Sequence, residues 1–488
     1  MRILYIDIDS LRPDHLGCYG YHRATSPHID RLAAEGLRFD NFYATDTPCL
    51  PSRTALFSGR FGINTGVVNH GGTRADIRPE GPARGFQSRT TLDSLPEQLR
   101  RTGLRTASIS PFPHRHSAYQ IWEGFHETID TGGDGNERSH VVFPEVAAWL
   151  GRNAGRPDWF LHVNLWDPHT PYDVPLEFGE PFKNDPPPDW LTQDIIDRQR
   201  RSYGPHDAVT PHGHTVKNDW PRGARTIRNA ADWKQWIDGY DTGIRYADHH
   251  IGMIVAELKR LGLYDDTAII VSSDHGENQG ELEIYGDHQT ADQHTNCVPL
   301  IIRWPGLTES RQGQCDNSLL YNIDLSATLV DLAGAKPPAA WDGVPFTPLL
   351  RQAGQGGHAH LVLSHGAWSC QRSVRWADYL LIRTYHTGAK NFPSLMLFDL
   401  KNDPHETRNL APIRPDLVGE GLRRMDEWVG RQLSKNGVSD PLFDVIAEGG
   451  PLHACPSEID ALVALLRSTG RGEHAAWLEK HRGQPRDS

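Results

Sequence analysis

Residues 1–9 read Met1-Arg2-Ile3-Leu4-Tyr5-Ile6-Asp7-Ile8-Asp9. A nearly continuous apolar run of this length predicts a strand buried on both faces, and this one ends on acids. Outward from it, similar runs recur at Leu37–Tyr43, Arg105–Ile109, Trp159–Leu165, Thr267–Ser272 and Val298–Arg303. Helical patterns lie between them. Ser26-Pro27 opens one through Ala34 with Gly36 beyond its end, another covers Leu92–Arg101 before Gly103, and others span about 229–261 and 323–333. This alternation predicts an α/β domain over residues 1–350, a large, mostly parallel sheet sandwiched by helices. Ligands of such sheets sit at the carboxyl ends of the strands. Asp9 follows the first strand, Asp167-Pro168-His169 follows the 159–165 strand, and Ser273-Asp274-His275-Gly276 follows the 267–272 strand.

A composition shift at 335–358 (Lys336-Pro337-Pro338, then Gln352 to Gly357) reads as a linker. Short strands are expected after it at about 360–364, 371–376, 379–384 and 396–400, with helices at 415–433 and 456–467. These make a smaller C-terminal α+β domain over 358–488. A Pro-, Asp- and His-rich insertion at about 177–225, with His206, His212, His214 and Trp220, either rims a pocket or forms an oligomer contact; a homo-oligomer is left open.

The chain has 488 residues, of which 38% are hydrophobic, enough for a sizeable core. Its net charge of −12 argues against a nucleic-acid partner and requires a local positive pocket for any anionic substrate. No apolar run is long enough to span a membrane, and the first residues lack the layout of a signal peptide. The six cysteines are scattered, with no CxxC pair, which fits reduced thiols and a cytoplasmic location.

Chemistry concentrates in Cys49-Leu50-Pro51-Ser52-Arg53-Thr54-Ala55-Leu56-Phe57-Ser58-Gly59-Arg60. Pro51 suits the first turn of a helix. Cys49 is then at the helix N-terminus, where free N–H groups favour negative charge, and Arg53 lies one turn on, able to reach back. With its C-x-P-S-R core and following Gly-Arg, this stretch resembles the formylglycine-dependent sulfatases of the alkaline-phosphatase superfamily. Ile8-Asp9-Ser10-Leu11-Arg12-Pro13-Asp14-His15 resembles the family's opening segment, with Ser10 where many members have a second Asp. Ser273-Asp274-His275-Gly276-Glu277 and Val298-Pro299-Leu300-Ile301-Ile302-Arg303-Trp304-Pro305-Gly306 match later segments. Leu397-Phe398-Asp399-Leu400 to Asn409-Leu410 resembles a structural turn of sulfatase C-terminal domains.

The resemblance implies an alkaline-phosphatase-like fold and hydrolysis of a sulfate ester, on a small sulfated carbohydrate or an aryl or alkyl sulfate. It implies that Cys49 is converted to formylglycine by a formylglycine-generating enzyme. It further implies one divalent cation, calcium ahead of manganese or magnesium, held by Asp9, Asp274, His275 and residue 49. Asp7 is either a further ligand or a buried supporting acid. Arg53 would acidify the nucleophile, and His169 or His288 would protonate the leaving oxygen. Asn69 and His116 are carried as substrate-binding positions. At 103–114 the family's lysine and histidine are missing, with His114, Arg115 or His116 as replacements. The nearest rival is a phosphonate or phosphate ester hydrolase on the same scaffold; a non-catalytic sugar-binding relative is the alternative outside enzymes.

Overall fold

The structure, a computed structural model, describes residues 1–78, 92–213, 220–354, 356–437 and 439–485. His214, named above in the insertion, lies outside the described residues.

The larger sheet runs in the order Gln314–Asp316, Leu37–Tyr43, Cys297–Arg303, Thr267–Ser273, Arg2–Ile8, Trp159–Leu165, Arg105–Ile109 and Glu127–Ile129; Leu320–Tyr321 also pairs with Leu37–Tyr43. Its pairings are parallel, except that Cys297–Arg303 runs against both of its neighbours. Alternate side chains face two helical layers. Leu4, Ile6 and Ile8, with Leu161, Val163 and Leu165, pack against Pro27–Ala34, Ser139–Asn153 and Ala230–Arg260. Ile3 and Tyr5, with Phe160, Ile270 and Leu300, pack beneath Cys49–Ser58, Leu95–Arg101 and Asn322–Leu332. Each such side chain withdrawn from water contributes about 1.5–3 kcal/mol. Asp7 and Asp9 continue the parity of Ile3 and Tyr5, so both acids face the Cys49–Ser58 layer.

Helix Ser139–Asn153 has no clear sequence signature, because Pro144 lies inside it. Burial of Val142, Val146 and Trp149 at helical spacing holds it on the sheet regardless. Ser26 stands at the N-cap of Pro27–Ala34, but its side chain does not cap: its Oγ accepts from Gly17 N and donates to Asp30.

The second sheet orders Leu395–Asp399, Tyr379–His386, Cys370–Trp376 and Leu361–His365 antiparallel, and Asp46–Thr47 joins its edge in parallel to Ser364 and His365. The residues just before Cys49 are thus a strand of that second sheet. Part of the stretch read as a linker is packed, while its 351–354 portion is exposed. Trp341 is buried against Gly59, and Asp342 accepts from Phe61 N and Asn64 Nδ2. A buried tie also joins the two sheets' regions. Glu281 takes both Arg12 and His405, Trp190 stacks on His405 at 4.2 Å, and His294 Nε2 donates to Pro404 O. The cysteines are free thiols, and among the described residues no helix is long and apolar enough to cross a membrane.

Candidate active site

Arg2–Ile8 and Thr267–Ser273 are adjacent and parallel, with Ile8 opposite Ser273. The next residue of each is therefore side by side at the carboxyl edge, and those residues are Asp9 and Asp274. Helix Cys49–Ser58 lies over this edge with all ten residues buried and Cys49 first. Ser52 Oγ donates to Asp274 O at 2.6 Å, and Asn322 Nδ2 in turn donates to Ser52 at 3.3 Å. Two glycines permit the approach. A Cβ on Gly59, which has φ +66°, would lie 2.1 Å from the Trp341 ring, and one on Gly276 would lie 2.0 Å from His294 O.

Arg53 does not turn back to Cys49. Its Nε donates to Asp7 Oδ2 at 3.0 Å, and its Nη1 donates to Asp9 Oδ2 at 3.1 Å and to Asp274 Oδ2. Three carboxylates in a buried, low-dielectric floor attract the guanidinium more strongly than a thiol does. Phe112 covers it, with the guanidinium carbon 4.3 Å from the ring centre, and Nη2 has no hydrogen-bond partner. Burial pushes Asp9 upward, but Arg53 and the nearby histidines outweigh it, so its carboxyl is held well below the usual range. Asp274 goes the other way, raised by burial and by the charge of Asp9 despite Arg53. Such a pair loses its protons in two separated steps.

The floor fits a divalent cation. Asp9, Cys49, Asp274 and His275 offer ligand atoms all within 4.8 Å of one another. Three carboxylates face one guanidinium, and Asp7 Oδ1 is buried with no hydrogen-bond partner. Ser10 stands at φ +58°; its Oγ donates to Asp9 Oδ1 at 3.0 Å and its N to Asp274 Oδ1 at 3.3 Å, so Ser10 orients acids where another carboxylate would have added charge. His275 Nδ1 donates to Gly276 O at 2.8 Å, which leaves Nε2 with its lone pair 2.9 Å from Cys49 Sγ. Metal-binding histidines are tethered in this way.

Imidazoles form the wall above the floor. His169 and His288 each bring a ring nitrogen within 4.8 Å of Cys49 Sγ, and so do His70 and His116. His169 stacks on Trp166 at 4.3 Å and its Nδ1 donates to Thr170 O at 2.7 Å, so Nε2 is the working nitrogen. Burial lowers His169 to about 4 and His116 to about 3. His288 is pushed well down by burial and by neighbouring His275, whose ring centre is 4.2 Å away. The thiol of Cys49 is pushed well up by burial and by Asp9 and Asp274, which makes the bare thiol a poor nucleophile.

Asn69 is adjacent but its amide is used locally: Nδ2 donates to Thr73 O and Oδ1 accepts from His70 N. It shapes the turn that presents His70, a residue whose importance the sequence did not reveal. His453 also went unnoticed. It comes from the far end of the chain, stacks on Trp368 at 4.1 Å and meets His70 edge-on at 5.8 Å. Arg115 is exposed, with its guanidinium 4.8 Å from the Trp166 ring centre; no carboxylate among the described residues pairs with it. The insertion reaches this edge as well, through His206 at 3.0 Å from Asp287, the residue before His288.

Comparison with known proteins gives a consistent result. The family profile described as sulfatase matches residues 2–335, and one described as the C-terminal part of N-sulphoglucosamine sulphohydrolase matches residues 280–415. An ulvan-active sulfatase of Formosa agariphila is 25% identical over 463 residues, covering 88% of this chain and 80% of the relative. A structure solved with its substrate D-glucosamine-2-N,6-O-disulfate superposes with a TM-score of 0.71 at 19% identity, covering 90% of this chain and 99% of that one. A phosphonate monoester hydrolase from Silicibacter pomeroyi gives 0.66 at 22% identity, covering 90% and 96%.

Proposed function

Since the chain belongs to the sulfatase family of the alkaline-phosphatase superfamily and is a sulfatase, we propose that it cleaves small sulfated carbohydrates through a formylglycine at position 49 beside one divalent cation. The observation that carries this reading is the convergence of Cys49 Sγ, at a buried helix N-terminus, with Asp9, Asp274 and His275. Hydrated formylglycine supplies two hydroxyls on one carbon, one to attack sulfur and one to release sulfate and restore the aldehyde. A cation supplies positive charge to the ester oxygens.

Asp9, Asp274 and His275 would hold that cation, calcium ahead of manganese or magnesium given the oxygen-rich set. Arg53 keeps the carboxylates converged, and its positive charge, felt at position 49, favours the negative charge that develops there. His169 and His288 each bring a ring nitrogen to the same point; one of the two takes the proton of the attacking hydroxyl on its lone pair and passes it to the leaving alcohol. The same nitrogen then takes the proton of the second hydroxyl as sulfate leaves, and gives it up to solvent before the next cycle. Arg115 on Trp166, with His70 and His116, makes the positive and polar patch that a chain of net charge −12 needs for an anion. Trp368 and His453 give the flat surface on which a sugar ring packs. The ulvan-active relative and the disulfated glucosamine bound by a structural neighbour support a saccharide substrate.

Phosphonate monoesters are the second reading, favoured by the adjacent Asp274-His275 pair and by the likeness to a phosphonate monoester hydrolase. Initial rates on matched aryl sulfate and aryl phosphonate esters decide between them: the proposal expects the sulfate to be the better substrate. Cys49→Ala should lower sulfate release by at least about 10⁴-fold, the scale of losing a covalent nucleophile, with the far-ultraviolet spectrum unchanged. Retained turnover in that variant refutes the assignment.

A further inference from the structure

Cys49 is the hub of more than the carboxylate floor. Its Sγ lies with a ring nitrogen of His169 and one of His288, all within 4.8 Å of one another, and all three residues are buried. His169 is oriented by its Nδ1–H donating to Thr170 O, so its Nε2 carries a lone pair. His288 Nδ1 is buried without a hydrogen-bond partner, in a residue that is 6% exposed. The set is one thiol and two imidazoles, and His275 Nε2 at 2.9 Å from Sγ is a further nitrogen donor beside it. That chemistry differs from the oxygen-rich floor beneath it. Sulfur and nitrogen donors in a three-ligand set with an open position suit Zn²⁺, whereas carboxylates suit calcium or magnesium.

We infer that the chain with an unmodified Cys49 carries a zinc-class cation site made of Cys49, His169 and His288, and that conversion of the thiol removes it. Binding breaks the S–H bond, forms a metal–sulfur bond and releases one proton to solvent. Asp9 and Asp274 stand next to the thiol, and their negative charge favours the incoming cation over the proton it replaces. An aldehyde or its hydrate lacks the thiolate, so the modified chain keeps only the hard-cation floor. The two forms of position 49 would thus select different metals. This inference depends on the geometry around the thiol alone and stands whether or not the active protein contains formylglycine.

The test uses full-length chain produced in a host without a modifying enzyme, with the thiol at position 49 verified by peptide mass. Co²⁺ is titrated as a spectroscopic probe into the metal-free chain, and variants of His169 and His288 separate this site from the carboxylate floor that shares Cys49. One equivalent should produce a thiolate-to-cobalt charge-transfer band in the near ultraviolet together with the visible bands of four-coordinate Co²⁺, and Zn²⁺ should displace both. Cys49→Ser should lose the charge-transfer band. Loss of an outer partner of a metal ligand already costs about 10–100-fold in affinity, so His169→Gln and His288→Asn should each weaken Co²⁺ binding at least about tenfold. These near-isosteric changes are compared at matched tryptophan fluorescence, so that misfolding is not mistaken for ligand loss. His70→Ala should leave the band in place. A six-coordinate spectrum without charge transfer overturns the inference. So does a band that survives both histidine changes, or one that His70→Ala removes, which would place the cation with His70 and His116 instead.

Discussion

The floor and the wall of this site are built on opposite terms. The floor is made of Asp7, Asp9, Asp274 and Arg53, side chains almost fully shut from water and tied to one another by direct ion pairs. Strand register puts two of its acids side by side. The wall is made of His70, His116, His169, His288 and His453, rings carried on loops and short turns of helix and held by contacts with other rings and, for His169, by one hydrogen bond to backbone. The floor is charged, whereas burial pushes His70, His116, His169 and His288 toward the neutral form. A sulfate ester needs both, one to neutralise spread charge and one to manage a proton. The comparison teaches that fold fixes the first and loop placement tunes the second.

The largest effect expected on the wall separates its two candidate acids. Removing the true proton donor should lower kcat by about 10²–10⁴-fold on an alkyl sulfate, yet far less on a nitrophenyl sulfate, whose leaving group needs no proton. His169→Ala and His288→Ala assayed on both esters identify the donor as the variant with the large difference. Equal losses on both substrates would give the histidine a positioning role instead.

On the floor, Arg53→Ala leaves three buried carboxylates without their counter-charge. It should cost about 3–5 kcal/mol in denaturant unfolding. Added divalent cation should recover part of that loss, because it supplies the missing positive charge. A variant as stable as the parent would break the picture of a charge-saturated floor.

A pH series sharpens the contrast further. Asp274 is raised above the usual carboxylate range, and a cation binds only its ionised form. Affinity should therefore be full above that raised pKa and fall as pH drops through it, by about tenfold per pH unit for one competing proton. Calorimetry across about pH 5 to pH 8 measures the slope; a flat profile would contradict a raised Asp274.

The smallest effect lies at the rim. Arg115→Gln should raise KM for an anionic saccharide about fivefold with kcat unchanged, the pattern of lost uniform binding. Added salt should shrink the difference between the two proteins, since Arg115 is exposed.

The floor was legible in the sequence because its signals are local. An apolar strand that stops on Asp9, another that stops on Asp274-His275, and a Pro-x-Arg helix start each fit within a few residues. Parallel pairing then does the assembly. What the sequence left open is what depends on distant packing. Arg53 reads as a partner of Cys49 by helical spacing, but the acids gathered by the sheet capture it. Asn69 reads as a site residue, yet its amide folds the turn that delivers His70. His453 has no motif around it; only the docking of the C-terminal segment brings it to Trp368 and His70. The stretch at 335–358 has a linker's composition, but its first half is anchored by one tryptophan, Trp341, packed on Gly59.

Activity depends on the chemical state of position 49, which mass spectrometry of the peptide spanning residues 45–60 reads. Preparations ranging from inactive to fully active in sulfate release are digested, and the fraction of position 49 present as aldehyde is plotted against specific activity. A straight line through the origin is expected. Full activity from protein whose position 49 is entirely thiol would contradict it.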